Sequence, residues 1–300
     1  MNARQKTAWA AIAGVPALLV ALALLQFRID TTTEALGEQK EELLLRSAKT
    51  IKRLSLGYDG LLADMYWTRA VQYYGTYAGI PGSKFTMLWP LLDIATTLDP
   101  KLTPAYRFGA VFLSEPSPVG AGQADRAIEL TERGIRENPD DWRMDASLGF
   151  LYYWYEKNYT KASEVYLAGS KKADAPGWLA MMAARMASKA DAVETSKMIW
   201  SEIYNSSTND SVRNNALQHL EGLQALEDIR QLDEIAEKYK SVYGHYPATG
   251  EDLVRAGVLQ KIPADPTGVP YVYSEDGKAS VGPTSSVIPE KPPATPPTEK

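Results

Sequence analysis

DRAIELTERGIRENP, residues Asp125 to Pro139, is the stretch whose reading decides the fold of this chain. It reads as a helix that carries two small residues, Ala127 and Gly134, and stops at Pro139. Related endings recur at LDP (Leu98 to Pro100) and DAP (Asp174 to Pro176), so the three prolines stand 39 and 37 residues apart. That interval is the length of a helix-turn-helix repeat, with each proline stopping one helix and pre-setting the turn into the next. From about Glu41 to Tyr243 helical periodicity dominates, with few strand-like alternations. Small residues let antiparallel helices approach closely, and Tyr, Phe and Leu fill the gaps between successive pairs. A single hairpin cannot bury its own face, so stacking of neighbours builds the core. The competing reading of the same periodicity is a generic all-helical domain.

Working outward, Leu148-Gly149 and Tyr152 follow in the next helix, and Tyr159, Ala162 and Tyr166 open its partner, one residue out of register. An earlier unit has Ala95 and Pro100, then Phe108-Gly109 and Phe112, before an irregular SEPSPVGAG segment. With Ala127, Gly134 and Pro139, these residues resemble the tetratricopeptide repeat family over about residues 57 to 205. GLLADMYWTRAVQYYGTYA (60–78) and KFTMLWPLLDIATTLD form an earlier helix pair, in which Pro90 should bend the second helix or delay its regular part. GWLAMMAARMASKA and AVETSKMIWSEIYNSS form a later pair. The resemblance implies that the first helix of each pair lines a concave groove that receives a peptide or a partner's extended segment. Carried over by residue, Tyr106, Ala110 and Leu113 line it from one helix, and Arg143, Phe150, Tyr153 and Trp154 from the next. Trp67, Arg69 and Tyr73, with Met182 and Arg185, are the corresponding residues of the more degenerate pairs. Tyr and Trp offer large contact area with a polar handle, and Arg holds a carboxylate bidentately. Tyr152 to Tyr155 are four consecutive aromatics that point all round one helix, so at least one should face a partner or the groove.

Near Tyr243 the pattern changes. A short helix, EDLVRAGVL, is followed by turns at Pro263, Pro266, Gly268 and Pro270, and Tyr271 and Tyr273 alternate about Val272 as a short strand requires. A hairpin this short should pack on the preceding helix. KYKSVYGHYP, ATGEDLVRAGVL and IPADPTGVPYVY, in that order, resemble the C-terminal half of the major type II secretion pseudopilin. The chain lacks that family's N-terminal Gly-Phe-Thr-Leu-Ile-Glu processing sequence, which argues against polymerisation as a pilin. Members of that family bind calcium near this region, but Asp276 alone is too little to carry a site over.

At the other end, Ala8 to Leu25 is an apolar run of eighteen residues preceded by Arg4 and Lys6. Such a run nearly crosses the roughly 30 Å hydrocarbon core of a bilayer. It reads as a retained single-pass anchor, with the membrane met through residues 8–27. A cleavable signal peptide is the rival, with Ala21-Leu22-Ala23 as its processing site. The short basic tail most simply stays inside, which exports the body to the periplasmic face of a bacterial inner membrane.

The expected architecture is therefore mainly α, with a transmembrane helix, a helical-repeat solenoid and a small α+β module. Its parts are an anchor (1–30), a helical linker (31–56), the repeats (57–209) and a long helix or helix hairpin (210–243). The pseudopilin-like module (244–282) and a disordered, proline-rich tail (283–300) follow.

The chemistry is sparse. There is no cysteine, which excludes thiol catalysis and Cys-ligated metal centres, and a net charge of -5 argues against a nucleic-acid partner. His219 and His245, the only histidines, stand in a polar helix and a turn without a recognisable ligand set. No Gly-x-Ser-x-Gly elbow or phosphate loop is present; GAGQA at 120–124 lacks a Walker lysine. No cofactor, metal or catalytic set is expected. The leading expectation is a non-enzymatic, membrane-anchored scaffold that docks a protein or peptide in the cell envelope, with a pilus or secretion machine as its setting. The alternatives are an accessory structural subunit of another inner-membrane complex and an envelope hydrolase with convergent acids in a closed pocket.

Overall fold

The computed structural model describes Leu24 and residues 48–290, and among these the chain is mainly helical. No described helix is long and apolar enough to cross a membrane; the expected span, 8–27, lies outside the described residues except for Leu24. Two compact units are distinguished, one over 48–78 and 84–99 and one over 79–83 and 100–290.

In the first unit, α1 (Ala48–Leu54) and α2 (Asp59–Tyr77) both pack on α3 (Leu88–Leu98). Ala63 and Ala70, seven residues apart on one face of α2, are fully buried, so the helices approach without bulk between them. Leu88, Leu91, Leu92, Ala95 and Leu98 form the buried face of α3. Pro90 falls in the first turn of α3, where its missing N–H costs nothing, and the regular helix starts four residues after Lys84. The last part of the expected linker is α1, which Lys52 Nζ ties to the carbonyl of Thr97 at 2.8 Å.

In the second unit, successive helices pack as antiparallel neighbours: α4 (Thr103–Ser114), α5 (Ala124–Glu137), α6 (Trp142–Trp154), α7 (Tyr159–Ser170), α8 (Trp178–Lys189) and α9 (Val193–Ser206). The first half of α10 (Asp210–Tyr243) continues the series against α9. Breaks between helices have local causes. Asp141, Asn158 and Asn209 cap α6, α7 and α10 by accepting backbone amides of their first turns. Asn138 Nδ2 donates to the carbonyls of Pro100 and Gly134, at 3.0 and 3.2 Å, tying the end of α5 to the start of α4. Pro139 does follow a helix end, whereas Pro176 stands in a turn entered through the left-handed Asp174, six residues beyond the end of α7.

Close packing explains the small residues. A Cβ on Gly134 would lie 3.0 Å from the ring of Tyr106, and one on Gly149 would lie 2.8 Å from that of Tyr166. Each glycine receives the face of an aromatic ring from a neighbouring helix. Asp145 of α6 is buried and ion-paired with Lys172, beyond the end of α7. Trp200, Ile199, Leu223 and Leu179 carry the core onward into α9, α10 and α8.

α10 is one helix of 34 residues, ended by Gly244 in the left-handed conformation (φ 79°). On its second half lies the C-terminal module: α11 (Gly250–Arg255), opened by a Thr249/Asp252 capping box, and the antiparallel pair β1 (Val272–Tyr273) and β2 (Ala279–Ser280). Leu232, Tyr271 and Ala279 form its small core, and Asp233 accepts the Ala279 amide at 2.7 Å. Tyr271 Oη donates to Asp228 at 2.8 Å.

Composition reads residues 283–290 as the start of a disordered tail, and here the structure differs. Val287 is buried, Ser285 Oγ donates to Asp265, and the Glu290 amide donates to the Gly222 carbonyl at 3.2 Å. One apolar side chain and a few hydrogen bonds hold a segment whose composition alone offers little to bury. Residues 291–300 lie outside the described residues.

Candidate docking recess

Helices α4, α6 and the start of α8 enclose a recess of about 360 Å³ in the second unit. Its walls are Arg107, Val111 and Glu115 on one side and Arg143, Ser147 and Phe150 on the other, with Trp142 and Trp178 closing one end. The two tryptophans meet edge to face, with ring centroids 6.2 Å apart. Arg143 stacks its guanidinium over Trp142 at 4.8 Å while bonding Asp141 at 3.2 Å, which fixes the cation at the rim. Phe150 and Trp178 are each 45% exposed, so both keep apolar surface open to solvent at the recess. Trp154, beside them, stacks nearly parallel to Phe150 with centroids 6.1 Å apart, and Lys157 lies over its outer face.

Of the residues expected in a groove, Ala110, Arg143 and Phe150 do line this recess. Tyr106 and Leu113 do not; both are fully buried, Tyr106 against Gly134. The lining residues of α4 are Arg107, Ala110, Val111 and Ser114, so Tyr106 and Leu113 each fall one residue before a residue that faces the recess. One residue turns a helix by about 100°, enough to exchange groove for core. Tyr153 is half-buried between helices, 6.2 Å from the Tyr159 ring with Lys189 over both. Trp154 is exposed beside the recess without lining it. Met182 packs into the core, and Arg185 is exposed further along α8. Trp67, Arg69 and Tyr73 belong to the first unit, where Tyr73 Oη accepts the Met87 amide at 3.4 Å.

Within the run of four aromatics, Tyr152 is buried, Tyr155 lines the recess and Trp154 faces outward. Burial, then the hydrogen bond to Glu132, push the Tyr152 phenol up to about 12, so it remains a neutral donor. Trp142 and Trp178, the residues that sequence reasoning missed, share a signal: each is the first residue of its helix, shortly after Pro139 and Pro176.

Nothing in the recess assembles a nucleophile with a base, and no group of His, Asp and Glu suited to a metal ion occurs among the described residues. His245 Nδ1 donates to the Tyr246 carbonyl, 2.9 Å away, and Asp276 is engaged by Ser274 Oγ at 2.5 Å. The arrangement can hold an apolar side chain between aromatic faces and a carboxylate at a guanidinium rim. Comparison with protein-family models, curated proteins and solved structures finds no match to this chain.

Proposed function

We propose that the second unit is a docking scaffold that takes an extended segment of a partner protein into the recess between α4, α6 and α8. The observation that carries this reading is the exposure of Phe150 and Trp178 around a concavity rimmed by Arg107 and Arg143. Aromatic and arginine side chains in a partly desolvated pocket are the usual anchors of a protein interface. The partner's segment places an apolar side chain against Trp142, Phe150 and Trp178 and a carboxylate against the arginines. In this reading the repeats are of the tetratricopeptide kind, supported by the small-on-aromatic contacts at Gly134 and Gly149. The apolar run at residues 8–27 holds the body at the periplasmic face of a bacterial inner membrane. The helix-and-hairpin module on α10 favours a pilus or secretion assembly as the setting.

A photo-reactive residue at Phe150 of the full chain, irradiated in membranes, tests the recess. The expected result is one defined cross-linked partner that disappears in Trp178→Ala at unchanged melting temperature. Identical cross-linking with Trp178→Ala, or none above that from an exposed position on α9, overturns it.

A further inference from the structure

The face of α8 that begins at Trp178 continues along the helix. Arg185, seven residues on, returns to nearly the same angle, and Ser188 follows within a turn. Arg185 remains exposed, but at Ser188 the surface is covered by the chain itself. Residues 285–290 cross from the C-terminal module to the cleft between α8 and α10, where Glu290 ends the crossing. Its carboxylate stands 2.6 Å from His219 Nδ1 and receives Ser188 Oγ at 3.3 Å, and Arg185 adds attraction. His219 is held flat against buried Trp200, with ring centroids 4.1 Å apart. The backbone comes so close to α10 that a Cβ on Gly222 would lie 2.5 Å from the Ile288 carbonyl oxygen.

Three features distinguish this contact from ordinary core. His219, the principal receiving group, is also held by Trp200 of α9, a contact in which the segment takes no part. The segment contributes one buried side chain, Val287, while Ile288 is 83% exposed. Recognition is concentrated in one carboxylate and one backbone approach, which is how an extended peptide is bound. A segment held by so few contacts opens at a cost well below global unfolding.

We infer that the α8–α10 cleft is a docking site for an extended acidic segment of a partner, and that residues 285–290 are its built-in competitor. The ligand chemistry follows from the competitor: a backbone free to approach Gly222, and a carboxylate for His219, Ser188 and Arg185. Opening of the cis segment exposes the site, and an incoming acidic peptide captures it. This inference rests on the reading of the α8 face as a docking surface, but its probe is the chain's own sequence, so it can fail while cross-linking at Phe150 stands.

The test is fluorescence anisotropy of a labelled peptide, TSSVIPEK (the sequence of residues 284–291), titrated with full-length protein. Glu290→Ala weakens the cis competitor, and it should bind the peptide roughly tenfold more tightly than wild type, because apparent affinity scales with the fraction of open sites. Adding His219→Ala should abolish that gain. Gly222→Ala should bind no peptide, yet hydrogen exchange at the Val287 and Glu290 amides should quicken as its own segment is expelled. Peptide binding by Glu290→Ala no tighter than wild type, or unchanged exchange in Gly222→Ala, overturns the inference.

Discussion

The two ends of α8 present opposite solutions to an exposed face. At Trp178 the surface is wide, aromatic and open, bounded by arginines; at Ser188 it is narrow, polar and covered by residues 285–290. The open end rests on bulky side chains that must be propped apart. The covered end rests on a glycine that admits backbone and on a histidine clamped by a tryptophan. The contrast teaches that one helix can offer both a hydrophobic anchor point and a carboxylate clamp, and that only the second is guarded in cis.

The largest effect should come from the scaffold common to both ends. Asp145→Ala leaves Lys172 without its buried partner, and stability should fall by about 3 kcal/mol, read as a lower midpoint in urea. Both the recess and the cleft should suffer. If exchange protection at Val287 survives while the midpoint drops, the two ends are less coupled than their shared helix implies.

Gly149→Val separates them. The added side chain meets the Tyr166 ring, which itself contacts Trp178 at 6.5 Å, so the open end is disturbed from beneath. A loss of about 1–3 kcal/mol is expected from overpacking, with cross-linking at Phe150 lost and the cleft segment still protected.

Acidity should open the covered end alone. The hydrogen bond from His219 is the chief cause holding the Glu290 carboxyl below its ordinary range, with Ser188 and Arg185 assisting against burial. At the other end of the segment, burial raises the Asp265 carboxyl, but hydrogen bonds from Ser285, Thr267 and Val269 outweigh it and leave it lowered. A depressed carboxylate stabilises the closed segment above the ordinary carboxylate range, and that contribution is lost as pH falls through the lowered value. Because the chain has no cysteine, a dye on Ile288→Cys reports the segment uniquely, and its anisotropy should drop on acidification. Glu290→Gln should flatten that response.

The smallest effect is Ser285→Ala. Loss of its hydrogen bond to Asp265 should loosen the segment by about 1 kcal/mol, seen as faster exchange at Val287 without change in the melting temperature.

Much of the helical body was legible because its signals are local. Ala127, Gly134 and Gly149 announce close helix contacts, and Asn138-Pro139 announces a break, since caps and proline act within a turn of themselves. The orientation of each helix was less legible. Tyr106 and Leu113 read as groove residues and proved to be core, because a one-residue register difference is invisible where both faces of α4 carry apolar side chains. Trp178 was missed because a tryptophan after Pro-Gly marks a helix start without saying what surrounds it.

The amino-acid sequence by itself determined that this chain is built of successive helices, where most of them break, and that it carries no thiol and few histidines. Those properties follow from residue periodicity, backbone restriction and composition, which need no distant contact. Tertiary structure alone decided which stripe of each helix meets solvent and that Glu290 joins His219, 71 residues away, and Ser188, 102 residues away. Such contacts depend on how hairpins rotate to bury one another, and no local pattern encodes that rotation.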